Sequence, residues 1–106
     1  MTASRLDFVY IDDVVNAVLL AMENENCFGE VVNVGSGKET SINELAEVLI
    51  RLFGFESVMT KYTNAKVGDI RRSCADLSKA KKLLGFNPKG SLEEGLRRLV
   101  KSLDAQ

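Results

Sequence analysis

The segment Lys66-Val67-Gly68-Asp69-Ile70-Arg71-Arg72 concentrates three cations and one carboxylate around a glycine. Ammonium and guanidinium groups held this close can clamp a diphosphate, while a carboxylate such as Asp69 can accept a hydrogen bond from a ribose or sugar hydroxyl. Arg5, at the start of the first apolar stretch, is a further candidate phosphate contact. The same loop also reads as a solvated surface whose charges pair with one another, and composition alone favours that reading. Lys79, Lys81 and Lys82 are assigned to the wet face and C-terminal end of a helix, where the macrodipole favours positive charge.

A second run, Gly35-Ser36-Gly37-Lys38, lies between an apolar stretch and a helical pattern, a place where backbone amides can meet an anion. Its spacing departs from both nucleotide fingerprints. The first glycine of a Walker A loop would fall on Val32, and its Ser or Thr on Glu39. The third glycine of the dinucleotide fingerprint would fall on Thr40. A turn that needs glycine for positive φ is the better reading.

Other chemistries are excluded by what the 106 residues lack. With no histidine and only Cys27 and Cys74, neither a metal-ligand spacing nor a His-based triad can be written. The two cysteines read as ordinary reduced thiols, with a bridge between them left open. A net charge of −1 provides no general basic field for a polyanion, which argues against nucleic acid as a partner. No window approaches the roughly 20 apolar residues that span a bilayer, and Met1 to Leu6 lacks an apolar leader, so the expected location is cytoplasmic with no membrane partner.

The elements that must position the charged loop follow from periodicity and caps. Asp7 to Ile11 is expected as a strand, with Asp12 and Asp13 as N-caps of a helix from Val14. From Val14 to Met22 every residue except Asn16 is apolar, the pattern of a helix covered on more than one side. Val31 to Val34 is expected as a second strand, after a turn at Gly29. Ser41 and Glu44 have capping-box spacing, and Ile42, Leu45, Ala46, Leu49, Leu52 and Phe53 follow at helical intervals before Gly54 stops the helix. Val58 to Tyr62 is expected as a third strand, and Asp76 as the cap of a short helix ending at Leu84 and Gly85. Ser91 and Glu94 repeat the capping box before the stripe Leu92, Leu96, Leu99, Val100 and Leu103. The order describes one small mixed α/β unit, and its first helix is shaped for a neighbour that a chain of this size can hardly supply.

Four segments resemble, in order, the carboxy-terminal part of the NAD-dependent epimerase/dehydratase family. These extended short-chain dehydrogenases act on nucleotide sugars and include the UDP-glucose 4-epimerases. The segments are Asp7 to Met22 (DFVYIDDVVNAVLLAM), Glu30 to Leu49 (EVVNVGSGKETSINELAEVL), Gly68 to Pro88 (GDIRRSCADLSKAKKLLGFNP) and Ser91 to Val100 (SLEEGLRRLV). The resemblance implies a chain, residues 1–106, that is the small mixed α/β substrate-binding portion, without the Rossmann half that binds NAD and carries a Tyr-x-x-x-Lys pair. Tyr62 and Lys66 meet that bare spacing, but they precede Gly68 and Asp69 in what matches the substrate loop. No catalytic, cofactor or metal residue is therefore assigned, and no cofactor is expected on this chain alone.

By the same resemblance Lys66 stands where the family's diphosphate arginine usually lies, and Asp69 matches the aspartate at the nucleotide. A second family arginine falls on Leu6, with Arg5 one place earlier and thus on the opposite strand face. The implied substrate-binding set is Lys66, Asp69, Arg72 and Arg5, and the implied ligand is a nucleoside-diphosphate sugar, most simply a UDP-sugar. In the family the first helix packs beside the Rossmann domain and Val31 to Val34 joins its sheet. The implied partner is that missing domain or, failing it, a second copy. The alternative is a noncatalytic interaction module that docks through Val14 to Met22.

Overall fold

The computed structural model describes residues 4–54 and 72–104. Within them the elements are β1 (Arg5–Asp7), α1 (Ile11–Glu23), a 3-10 turn (Glu25–Cys27), β2 (Glu39–Ser41), α2 (Ile42–Phe53), β3 (Arg72–Ser73), α3 (Ser78–Leu84) and α4 (Leu92–Asp104). The expected strand at Val58 to Tyr62 lies outside the described residues.

Helix ends written by short-range chemistry form where their residues stand. The Ser41 hydroxyl accepts from the Glu44 amide at 3.1 Å and opens α2, which closes on Gly54 at φ 72°. Ser91 does the same for α4 through the Glu94 amide at 3.2 Å. Gly85 ends α3 at φ 66° as expected, but the N-cap position of that helix is Leu77, with no side-chain cap bond, and Asp76, expected as the cap, accepts from the Ser78 amide at 2.9 Å one residue further out. Glycine takes these left-handed positions without the Cβ penalty that another residue would meet.

Two expected boundaries are corrected. The first strand is shorter and earlier than Asp7 to Ile11, because Tyr10 already serves as the extended N-cap residue of α1 and its carbonyl accepts from the Asp13 amide at 3.0 Å. Asp12 and Asp13 are first-turn residues whose negative charge suits the helix dipole, and neither caps the helix. The buried Asp13 carboxylate accepts instead from the amides of Lys89 and Gly90, at 3.0 and 3.1 Å, tying the approach to α4 onto α1.

Val31 to Val34 is likewise not a strand. It finds no ladder among the described residues, although Val32 and Val34 pack on the core while Val31 is 82% exposed. The β2 position falls to Glu39–Ser41, in a sheet of order β2-β1-β3. There β1 runs antiparallel to β2 and parallel to β3.

The core lies between α1, the 3-10 turn and α3, where Ala17, Cys27, Leu77, Ala80, Leu84 and Phe86 are buried. Only one side of α1 contributes to it. Ile11, Val15, Val18, Leu19 and Met22 form an exposed apolar stripe at helical spacing, with Met22 72% exposed. Neither cysteine is in a disulfide: Cys27 is buried and donates to the carbonyls of Ala21 and Asn24, and Cys74 is exposed.

Candidate functional site

The sheet builds a charged face from residues that are far apart in the chain. Asp7 stands opposite Glu39, and Arg5 is flanked by Ser41 on β2 and Arg72 on β3. Side chains directly opposite in register share a face, and so do alternate residues along a strand. Arg5, Asp7, Glu39 and Arg72 therefore project together.

Glu39 joins the two arginines. Its Oε2 accepts from Arg5 Nε at 3.3 Å, and its Oε1 accepts from Arg72 Nε. Arg5 also approaches Glu44 Oε1, with its terminal nitrogen 3.7 Å away. The carboxylate is the sheltered member, 17% exposed, against 48% for Arg5 and 76% for Arg72. The hydrogen bond from Arg72, joined by that from Arg5, holds the Glu39 carboxyl below its usual range against a smaller opposing effect of desolvation.

Asp7, directly opposite, is satisfied quite differently. Its Oδ1 accepts from the Ser36 amide at 2.8 Å and the Ser36 hydroxyl at 2.6 Å; its Oδ2 accepts from the amides of Gly37 and Ala75 at 3.0 and 3.1 Å. Burial pushes this carboxyl up, but the combined hydrogen bonds from Ser36, Ala75 and Gly37 outweigh it and hold the group below its ordinary value. The backbone nest at Ser36 and Gly37 is thus already filled by a protein anion. Gly37 has the positive φ expected of the turn, 75°, whereas Gly35 is there for space. A Cβ on Gly35 would lie 2.7 Å from Asp7 Oδ2 and 2.8 Å from Ala75 Cβ. These residues do not fit a dinucleotide's diphosphate.

Of the four residues assigned from sequence, Arg5 and Arg72 are brought side by side, while Lys66 and Asp69 lie outside the described residues. Lys79 reaches Glu30 at 2.7 Å, where a merely solvated side chain was expected. Sequence reasoning missed Glu39, whose only signal was a carboxylate in the short polar stretch before a capped helix. Asp7 opens the first of the four family-like segments, and nothing near it in the chain signals its latching role.

The exposed Cys74 thiol is pushed up by desolvation and by the nearby Asp7 and Glu39 carboxylates, which disfavours the thiolate a nucleophile requires. A depression of about 570 Å³ opens beside the Asp7 contacts, lined by Ser36, Gly37, Ala75, Asp76, Lys81 and Asn87 among others, and contains neither arginine.

The family model described as GDP-mannose 4,6 dehydratase matches residues 2–99. The chain belongs to that family of NAD-dependent epimerases and dehydratases. Within the family, it is 41% identical over 95 residues to UDP-glucuronate 4-epimerase of Thermodesulfobacterium geofontis, covering 89% of this chain and 28% of that protein. The structure of UDP-glucose 4-epimerase from Thermotoga maritima with UDP-glucose superposes with a TM-score of 0.86 at 41% identity, over 97% of this chain and 32% of that one. UDP-glucuronic acid 4-epimerase from Bacillus cereus, solved with UDP-glucuronic acid and NAD, superposes with a TM-score of 0.80 at 34% identity, over 95% and 33% of the two chains. The fold is a small mixed α/β unit matching part of these epimerases, and the chain spans about three-tenths of their length.

Proposed function

We propose that this chain is the carboxy-terminal, nucleotide-sugar-binding portion of an NAD-dependent epimerase or dehydratase, with a UDP-sugar as ligand and no catalysis by the chain alone. The observation that carries this reading is the superposition of 97% of the chain, at 41% identity, on part of a UDP-glucose 4-epimerase solved with UDP-glucose. Arg5 and Arg72 are the described cations assigned to that ligand, though Glu39 already holds both and Arg5 lies on the strand face opposite the family position at Leu6. Relatives solved with UDP-glucose or UDP-glucuronic acid support the choice of ligand. Lys66 and Asp69 are assigned to the same ligand by resemblance.

Hydride transfer to NAD belongs, in this reading, to a Rossmann half outside the 106 residues. The filled nest at Ser36 and Gly37 supports leaving the cofactor there. The exposed stripe Ile11, Val15, Val18, Leu19 and Met22 is then the surface that meets this half.

Calorimetric titration with UDP and UDP-sugars tests the reading. Saturable heat in the wild-type chain, lost in Asp69→Ala, is the expected result, together with no epimerase turnover on adding NAD. Turnover by the pure chain would sink the assignment. Thermal silence combined with self-association or hydrophobic-dye binding through α1 would favour the second reading, an interaction module whose charged loop only solubilises it.

A further inference from the structure

We infer that α1 docks on a partner polypeptide whose apolar surface is bordered by lysine or arginine, and not on a second copy of this chain. For the partner's identity the inference rests on the nucleotide-sugar reading; for its chemistry it rests on the charges around α1.

The apolar stripe attracts without discriminating. Ile11, Val15, Val18, Leu19 and Met22 are exposed along α1, and Phe28 and Val31 are exposed just beyond it. Apolar burial is non-directional, so these side chains accept any apolar surface of fitting shape, their own in a second copy included. The charges beside them discriminate. Asp12 and Glu23 stand 11 residues apart in α1, which at 3.6 residues per turn sets them within about 20° of one another round the helix. Both are exposed and border the stripe on its Leu19 side. Glu23 lies in the last turn, which holds no basic residue and where the helix dipole already presents negative charge. Exposed Glu25 follows it in the 3-10 turn.

The cations around α1 are already committed. Arg98 reaches Asp12 at 3.2 Å and Glu94 at 3.4 Å and lies over the Tyr10 ring, and Lys79 reaches Glu30 at 2.7 Å. Among the described residues no cation pairs with Glu23 or Glu25. A two-fold contact sets the same patch of each copy against the other. Because α1 contains no lysine or arginine, the facing α1 of a second copy offers Glu23 no cation in any register. Arg98 of such a copy is shared by two carboxylates of its own. A foreign surface with a cation beside its apolar strip relieves the acidic border while covering the stripe, and complementary charge of this kind selects among partners.

The full chain is first sedimented alone over a range of concentrations. It is then titrated into two fluorescent helical peptides that share a leucine stripe, one flanked by lysines and the other by glutamates. The expected results are a monomer, saturable anisotropy with the lysine peptide, and binding of the glutamate peptide weaker by about tenfold. Combining Glu23→Gln with Glu25→Gln should weaken the lysine peptide by about fivefold. Combining Val18→Ser with Met22→Ser should abolish binding of either peptide, with circular dichroism checking that each variant is folded. Raised salt should erase the preference between the peptides. Self-association of the wild type, equal binding of the two peptides, silence toward both, or an unchanged lysine-peptide affinity in the Gln variant overturns the inference. UDP titration of the same samples is independent: absence of UDP heat with the peptide preference retained removes the nucleotide reading alone, so the two fail separately.

Discussion

Asp7 and Glu39 face one another across β1 and β2, yet they are satisfied by opposite kinds of partner. Asp7 takes backbone amides from Ser36, Gly37 and Ala75, together with the Ser36 hydroxyl. Glu39 takes two arginine side chains. Backbone donors are fixed in place, so a carboxylate that satisfies them joins three chain segments into one structure. Arginine side chains are long and exposed, and a carboxylate that holds them organises a surface. The comparison teaches that charge at facing register positions can fix backbone segments in one case and order exposed side chains in the other.

The largest expected effect is on the Asp7 side. Asp7→Asn replaces an acceptor-only group by one that carries its own donors, so at least one of the facing amides loses its partner. The expected loss is about 2–4 kcal/mol of stability, read from the denaturant midpoint. The same contact has a pH signature. Because the folded carboxyl titrates below its ordinary value of 3.8, its stabilisation is fully present above that value and is lost as pH falls through the lower, folded one. The acid limb of the stability curve should therefore be shallower in Asp7→Asn. Identical acid limbs in the two proteins would remove the latch from the account.

Gly35→Ala should follow in size. Its new methyl group would meet both Asp7 Oδ2 and Ala75 Cβ, neither the tip of a long flexible side chain, at an expected cost of about 1–3 kcal/mol. A wild-type melting temperature in this variant would mean that the turn yields more easily than the packing indicates.

The smallest stability effect is expected from Glu39→Gln, because its partners are exposed and screened by solvent. Its thermal midpoint should move by only a fraction of the Asp7→Asn shift. A melting shift as large as that of Asp7→Asn would erase the distinction between the two carboxylates.

Legibility in the sequence followed the range of the interaction. Both capping boxes and the glycine stops at Gly54 and Gly85 depend on contacts within a few residues, and α2, α3 and α4 formed where those signals lay. Strand positions were harder to read. Valine-rich Val31 to Val34 has strand composition but no ladder among the described residues, and the polar Glu39–Ser41 pairs because β1 offers it an edge. For the site, residue types at Arg5 and Arg72 pointed to an anion, but nothing near either one in the chain announced Glu39.

Sequence by itself determined the family, the helix ends and the unusual apolar character of α1, since each is a property of local order and side-chain type. Tertiary structure alone decided which carboxylate is buttressed by backbone and which by arginines. It also decided which side of α1 stays uncovered. Those outcomes depend on register between β1, β2 and β3, where a slip of one residue turns every side chain to the other face. Register is set by the sum of contacts distant in the chain, and no short stretch of residues contains it.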